Sequence, residues 1–413
     1  MRESSVNSTV NVCIVGGGAA GLFLAANFPA SVRTIIVEKT SNLGKKLLLT
    51  GGGRCNFSHR GSAEELLQHY HGAGRRLLRP ALRAMSSGKL LDLFSEMGLA
   101  SEVDADGRVF PLSERASDVL TTLRRQIELS GHEILRESRV NSVSRLPQGL
   151  FKTRYGSSEI VSRFVVMATG GCSYPATGSS GDGYALARKL GHTIIRPEPA
   201  LTDLRITDFV LSGLAGVSLR HAGLVLKRKG ETIARKIGEL LITHHGLSGP
   251  AVLNLSGYAQ PGDCLNASFT VISEEELKRW LINASCENGS RHLITVLSQL
   301  EVPRSLLLKL CEIAEIDHAK HISQLTREER RKIALLLCNM EFVIKGKGGF
   351  DSAMVTRGGV NLGEVNPKTM ESKLVKGLYF CGEILDIDGE TGGYNLHAAF
   401  ATAYLAARHI TRS

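Results

Sequence analysis

Apolar positions are densest at the start of the chain, where no residue between Val10 and Arg33 is charged. The run changes character twice. VNVCIV (10–15) is rich in β-branched residues and predicts a buried strand, AAGLFLAANF (19–28) predicts a helix, and RTIIVEK (33–39) predicts a second strand ending near Glu38. Farther on, helices are predicted over about 75–97, as a pair, and over about 114–130, followed by strand-like HEILRE and SRFVVM. From about residue 196 the pattern shortens. HAGLVLKRKG and ETIARKI alternate as antiparallel strands of a sheet or barrel do. SEEELKRWLINA, PRSLLLKLCEIA and TREERRKIALLLC return to helical spacing, with Ser273, Pro303 and Thr326 marking the starts. After about 350, GLYFCGEILD predicts a strand, and GETGGYNLHAAFATAYLAARHI predicts a glycine turn feeding an amphipathic helix.

The opening run is not read as a leader or a membrane span. MRESSVNST ahead of it has one Arg and one Glu, and the run contains four glycines and two asparagines. Its glycines are spaced. Gly16, Gly18 and Gly21 form G-x-G-x-x-G between a strand and a helix, and Glu38 ends the next strand. In that context the first glycine permits the tight turn, the second lets a pyrophosphate approach the backbone, and the third lets the helix pack on the sheet. The helix N-terminus offers N–H groups to phosphate, and the acid takes ribose hydroxyls. A dinucleotide is therefore expected here.

Whether it is NAD or FAD turns on the remainder of the chain. RFVVMATGG (163–171) and GLYFCGEILD (377–386) are strands running into glycine, and the last helix follows another glycine turn. Such returns suit a large cofactor threaded through the domain. The strand, Gly382 and Glu383 resemble the second flavin motif of two-dinucleotide flavoproteins, in which the acid holds a ribityl hydroxyl. FAD is expected. No second G-x-G-x-x-G opens a strand–helix–strand unit, so NAD(P)H is expected as a transient reductant without its own domain.

With 413 residues the chain exceeds the roughly 250–300 that one core organises. The pattern divides it into an FAD-binding domain (1–195 and 350–413), an inserted β-rich domain (196–273 and 337–349) and a helical domain (274–336). The net charge of +10 is dispersed and reads first as a solvated basic surface, second as a face for an anionic partner. Eight cysteines without a C-x-x-C pair point to reduced thiols in a cytoplasmic protein.

GKKLLLTGGGRCNFSH (44–59), DGRVFPLSERASDVL (106–120), ATGGCSYPATGSSGDGYALA (168–187), GELLITHHGLSGPAVLNLS (238–256) and TRGGVNLGEVNPKTMESKLVKGLYFCGEILDIDGETGGYNL (356–396) together resemble the YhiN/BaiN family of NAD(P)/FAD-dependent oxidoreductases. The resemblance implies an α/β fold, with a Rossmann-like two-dinucleotide-type FAD domain, an inserted barrel-like domain and a helical domain. Two departures stand out: the family's PALVPL is PALTDL here (199–204), and the residue after GGYNL, often Gln in the family, is His397.

Cofactor contacts are expected at Gly16, Gly18, Ala19, Ala20 and Gly21 in the first turn and at Glu38 and Lys39 after the second strand. Further contacts are expected at Lys45, Lys46, Gly53, Arg54 and Cys55, where basic groups flank a glycine triplet, and at Val140, Ala168, Thr169, Gly170, Gly382 and Glu383. The family also implies that the turn carrying Gly393, Tyr394, Asn395 and Leu396 meets the flavin N1/O2 edge. Cys55 is read as packing rather than as a redox thiol, and Asp182 as a helix cap. Tyr174, His244 and His245 are candidate proton donors, and each reads equally well as a structural polar group. The expected activity is hydride transfer from reduced FAD to a small unsaturated or carbonyl substrate, with no nucleic acid and no membrane as partner. Two alternatives stand beside it: a flavin oxidase of a small amine or alcohol, and an RNA-associated flavoprotein using the basic surface and the helical insert.

Overall fold

The computed structural model describes residues 9–413. They divide into two compact units. One comprises the chain up to Pro199 together with Met354–Ser413, and the other is Ala200–Ala353.

The first unit is organised by a parallel sheet. Strand β1 (Val10–Val15) is followed by helix α1 (Ala19–Ala26) and strand β2 (Thr34–Val37). β1 pairs in parallel with β2, Ile14 opposite Ile36, and on its other side with Ser158–Met167, Ile14 opposite Val166. Glu133–Leu135 extends the sheet beyond β2, and Leu378–Phe380 pairs with the far end of Ser158–Met167. A central parallel sheet covered on both faces needs apolar residues throughout. Val12, Cys13, Ile14, Val165, Val166 and Leu378 are accordingly fully buried. The antiparallel strands Val140–Arg145 and Phe151–Tyr155 complete the sheet of seven. The helices Gly74–Ala84, Ser87–Glu96, Ala116–Leu129 and Tyr394–Arg412 supply the apolar faces packed around it.

The second unit holds a closed six-stranded barrel. Its order is Leu204–Ile206, Gly246–Ser248, Glu231–Ile242, Ser218–Arg228, Cys264–Ser268 and Met340–Lys347. Between its last two strands run the helices Glu274–Glu287, Leu293–Leu297, Arg304–Ala314 and Arg327–Asn339. Barrel and helices share one hydrophobic core, with Leu226, Leu265 and Phe342 from the strands and Leu281, Leu310 and Leu337 from the helices. Ser273 and Thr326 form capping boxes with Glu276 and Glu329, and Pro303 stands at the third start. Leu293–Leu297 has no counterpart among the helices expected from the pattern, because five residues are too few to display a helical period. The departure at 202–203 has a local role in this unit. Thr202, fully buried, bonds Ser256 through its N–H and reaches Ser352 and Asp203 through its hydroxyl.

Candidate functional site

The β1–α1 turn closes because Gly16 adopts φ +111°, and a Cβ there would lie 2.5 Å from the Ala168 carbonyl oxygen. The turn thus sits directly on the end of the neighbouring strand. A Cβ on Gly18, by contrast, would meet nothing within 4 Å, so this peptide faces open space. Gly18 leaves the start of α1 without a side-chain cap. The first N–H groups of a helix have no intrahelical acceptor, and an uncapped start retains them for a ligand. Glu38 turns back onto the loop, its Oε2 accepting from Gly17 N at 2.8 Å and its Oε1 from Thr40 N at 2.7 Å.

These groups open onto a cleft with about 1110 Å³ of empty space, mouth included. Gly16, Gly18, Ala19, Ala20, Glu38, Lys45, Lys46, Ala168, Thr169, Gly170, Gly382, Glu383, Asn395 and Leu396 all line it. Segments separated by more than 300 residues in the chain therefore meet on one wall. An uncapped helix start, an acid at the strand end and a long cleft between them fit a dinucleotide.

Other expected residues stand elsewhere. Gly21 packs α1 on the turn, where a Cβ would collide with the Gly16 carbonyl oxygen. Lys39 is paired with Asp182 at 2.7 Å. Asp182 is the first residue of the helix Asp182–Lys189; Gly181 occupies the cap position, and the Asp182 carboxylate binds Lys39 and Arg139 instead. Gly53 is exposed, and Arg54 lies over the Phe110 ring at 4.8 Å and pairs with Glu114. Cys55 is fully buried, and burial pushes its thiol up to about 11 against a hydrogen bond with Thr50. Val140 opens an antiparallel strand of the sheet. Gly393 caps the last helix at φ +94°. Tyr394 stacks on His59 and on His69, with centroids 5.0 and 4.3 Å away and both pairs within 15° of parallel, and the two histidine rings stand 6.2 Å from each other. The Asn395 side chain is committed to the preceding turn, bonding Gly389 through both its oxygen and its nitrogen. Tyr174 is half-buried in a left-handed turn, φ +52°. His244 and His245 are exposed and belong to the second unit.

The pattern gave no sign of several cleft-lining residues, among them Asn42, Thr50, Thr177, Ser179, Met354 and Val355. They lie in loops, in single turns of helix and at the first residue of a strand, too few in a row to show a period. Only the glycines beside them, Gly44 and Gly178, hinted at close approach.

His397 lies outside the cleft. It is fully buried, with Nδ1 2.8 Å from Ser58 Oγ and Nε2 2.9 Å from the Met85 carbonyl oxygen. The carbonyl can only accept, so Nε2 carries a proton. Burial pushes its pKa down to about 4, against the opposing bond to Met85.

The parallel sheet, the glycine turn and its acid define a Rossmann-type fold, which holds a nucleotide at the ends of the strands, and the chain is of the flavoprotein oxidoreductase class with that fold. Within that class the chain belongs to the HI0933-like family, whose Rossmann-domain description matches residues 10–409. It is 31% identical over 404 residues to a 3-dehydro-bile acid delta(4,6)-reductase of Clostridium scindens, covering 96% of this chain and 97% of that one. It is also 31% identical over 405 residues to a ribosomal RNA dihydrouridine synthase of Haemophilus influenzae, covering 97% and 98%. Among solved structures, a 3-ketosteroid-delta4-(5alpha)-dehydrogenase of Rhodococcus jostii shares the fold, with a TM-score of 0.51, 14% identity and coverage of 98% and 97%. No helix among the described residues is long and apolar enough to cross a membrane.

Proposed function

We propose that this chain binds FAD, takes electrons from NAD(P)H and passes hydride to a carbon–carbon double bond conjugated to a carbonyl. The observation carrying this reading is the single cleft in which the glycine turn, Glu38, Glu383 and the start of the last helix meet. Bound FAD supplies the hydride. The protein's part is to hold and orient it. The start of α1 would hold the diphosphate, and Glu38, anchored by Gly17 and Thr40, would accept from the adenosine ribose. Lys45, Lys46 and Glu383 line the cleft, as do Asn395 and Leu396 at the start of the last helix, and we assign that helix start to the ring. That helix start carries a partial positive charge, which favours an anionic reduced ring. Hydride addition to a conjugated alkene leaves an enolate that needs one proton. Tyr174, which stands between the cleft-lining Gly170 and Thr177, is the side chain we propose for it.

The relatives' names support this chemistry. A delta(4,6)-reductase of a 3-oxo compound and a dihydrouridine synthase both saturate a carbon–carbon bond conjugated to a carbonyl. The same names favour a second reading in which the double bond belongs to uridine in RNA. The net charge of +10 is compatible with it, but nineteen Lys and Arg against seventeen Asp and Glu in residues 200–353 leave the excess with the flavin unit rather than with the insert.

The purified protein is expected to be yellow and to release FAD on denaturation; FMN or NAD alone in the supernatant would overturn the assignment. Anaerobic bleaching with NADH and NADPH, then reoxidation by a steroid enone or by uridine-containing ribosomal RNA, separates the two substrates. Reduction by amines or alcohols with rapid reoxidation by oxygen would instead establish an oxidase.

A further inference from the structure

Four segments far apart in the chain are joined by one cleft-lining carboxylate. Glu383 accepts from Lys46 Nζ on Oε2 at 2.6 Å, and from Ser173 Oγ and Thr356 N on Oε1 at 2.7 and 2.8 Å. Ser173 Oγ also meets Lys46 Nζ. Thr356 is fully buried and holds the cluster from behind. Its Oγ1 accepts from Cys172 N at 2.8 Å and from Ser173 N at 3.1 Å. Gly171 is required by the same packing, since a Cβ there would lie 2.4 Å from Thr356 Oγ1 and 3.0 Å from Glu383 Oε1. Glu383 lines the cleft and Thr356 does not.

We infer that Thr356 is a positioning residue for the cofactor, an inference that rests on the FAD reading above. An ionised carboxylate has about four acceptor directions. Three are taken by Lys46, Ser173 and the Thr356 N–H, which leaves one toward the cleft for a ligand hydroxyl. The Thr356 hydroxyl keeps that allocation in place. Without it, the N–H groups of Cys172 and Ser173 lose their acceptor, the 171–173 loop shifts, and Ser173 leaves Glu383. The acid then turns toward Lys46. Thr356 lies at the start of the strand Val355–Val360, immediately after the chain re-enters the flavin unit, so this return is tied to the cofactor acid.

FAD titration of deflavinated protein, read by quenching of flavin fluorescence, tests the inference. Thr356→Val is expected to weaken FAD binding about tenfold or more, which is about 1.4 kcal/mol. It should also alter the visible spectrum of whatever flavin binds. Thr356→Ser, which keeps the hydroxyl, should restore both to near wild-type. If Thr356→Val does not fold, Ser173→Ala and Gly171→Ala carry the test, and both should weaken FAD. Wild-type affinity and spectrum in Thr356→Val and Ser173→Ala overturn the inference, as does a Thr356→Ser protein as weak as Thr356→Val. A wild-type protein that holds no FAD overturns the proposed function, and this inference with it; a wild-type that holds FAD beside an unaffected Thr356→Val overturns this inference alone.

Discussion

Glu38 shows how one side chain serves both fold and ligand. Each oxygen accepts a backbone N–H, and the carboxylate still faces the cleft. Glu38→Ala should lower FAD affinity by about 1.5–3 kcal/mol, the range for hydrogen bonds to a charged group. The sheet should survive, because β2 is held by its own ladder to β1. Unchanged affinity in a titration of the deflavinated variant would refute the ribose role. His397 makes a different prediction. Its pKa is about 4 in the folded protein against 6.5 unfolded. Between those values the unfolded chain binds the proton first, so stability falls as the solution is acidified from pH 6.5 toward 4. The loss from this residue is about 3 kcal/mol at most. Its contribution is fully present above pH 6.5. Urea unfolding of wild-type and His397→Gln across that window should show a flatter profile in the variant, and parallel profiles would place the acid sensitivity elsewhere.

Elements differ in how far they carry their own instructions. The helix Glu274–Glu287 does so almost completely. Ser273 accepts from Glu276 N, and the Glu276 carboxylate accepts from Ser273 N in return. Leu277, Leu281 and Ala284 then fall on the buried face. Ser273→Ala should cost about 1 kcal/mol. Trp280, the one tryptophan in the chain, lies on this helix and reports it directly. An unfolding midpoint unmoved in tryptophan fluorescence would contradict the cap. The last helix is less self-sufficient. Its amphipathic pattern predicts its existence, but its start depends on distant groups. Asn395 clamps Gly389, and the Tyr70 hydroxyl donates to the Tyr394 carbonyl at 2.7 Å.

At the scale of the molecule, electrons need a path. Disulfide-reductase chemistry requires a thiolate beside the flavin and a second thiol within bonding reach. All eight cysteines are free thiols. Burial raises Cys55 to about 11 and also raises Cys172, which the Glu383 carboxylate pushes up further. Both are therefore poor nucleophiles near neutral pH. A Cys55→Ser/Cys172→Ser protein should bleach its flavin with NAD(P)H at close to the wild-type rate. Lost turnover with FAD still bound would establish a thiol relay and change the functional class.

The sequence alone determined what depends on neighbours in the chain. The strand–turn–helix around Gly16 and Gly18, the acid at Glu38 and the capped helices at Ser273 and Thr326 all follow from spacing and local hydrogen bonding, so they are legible along the chain itself. Tertiary structure decided everything that requires loops from remote parts of the chain to meet. Periodicity says nothing of which loop a carboxylate will face. Ser173 and Thr356, 183 residues apart, share Glu383 only after the sheet and the returning strand have formed. The same holds for Lys39, Arg54 and Tyr394. Each sits in a motif that suggests the cofactor, and each has partners that only the fold brings beside it: Asp182, Glu114 and Phe110, and the pair His59 and His69. A charged or aromatic side chain takes the partner that folding places beside it, and that placement is a property of the folded chain, not of the motif.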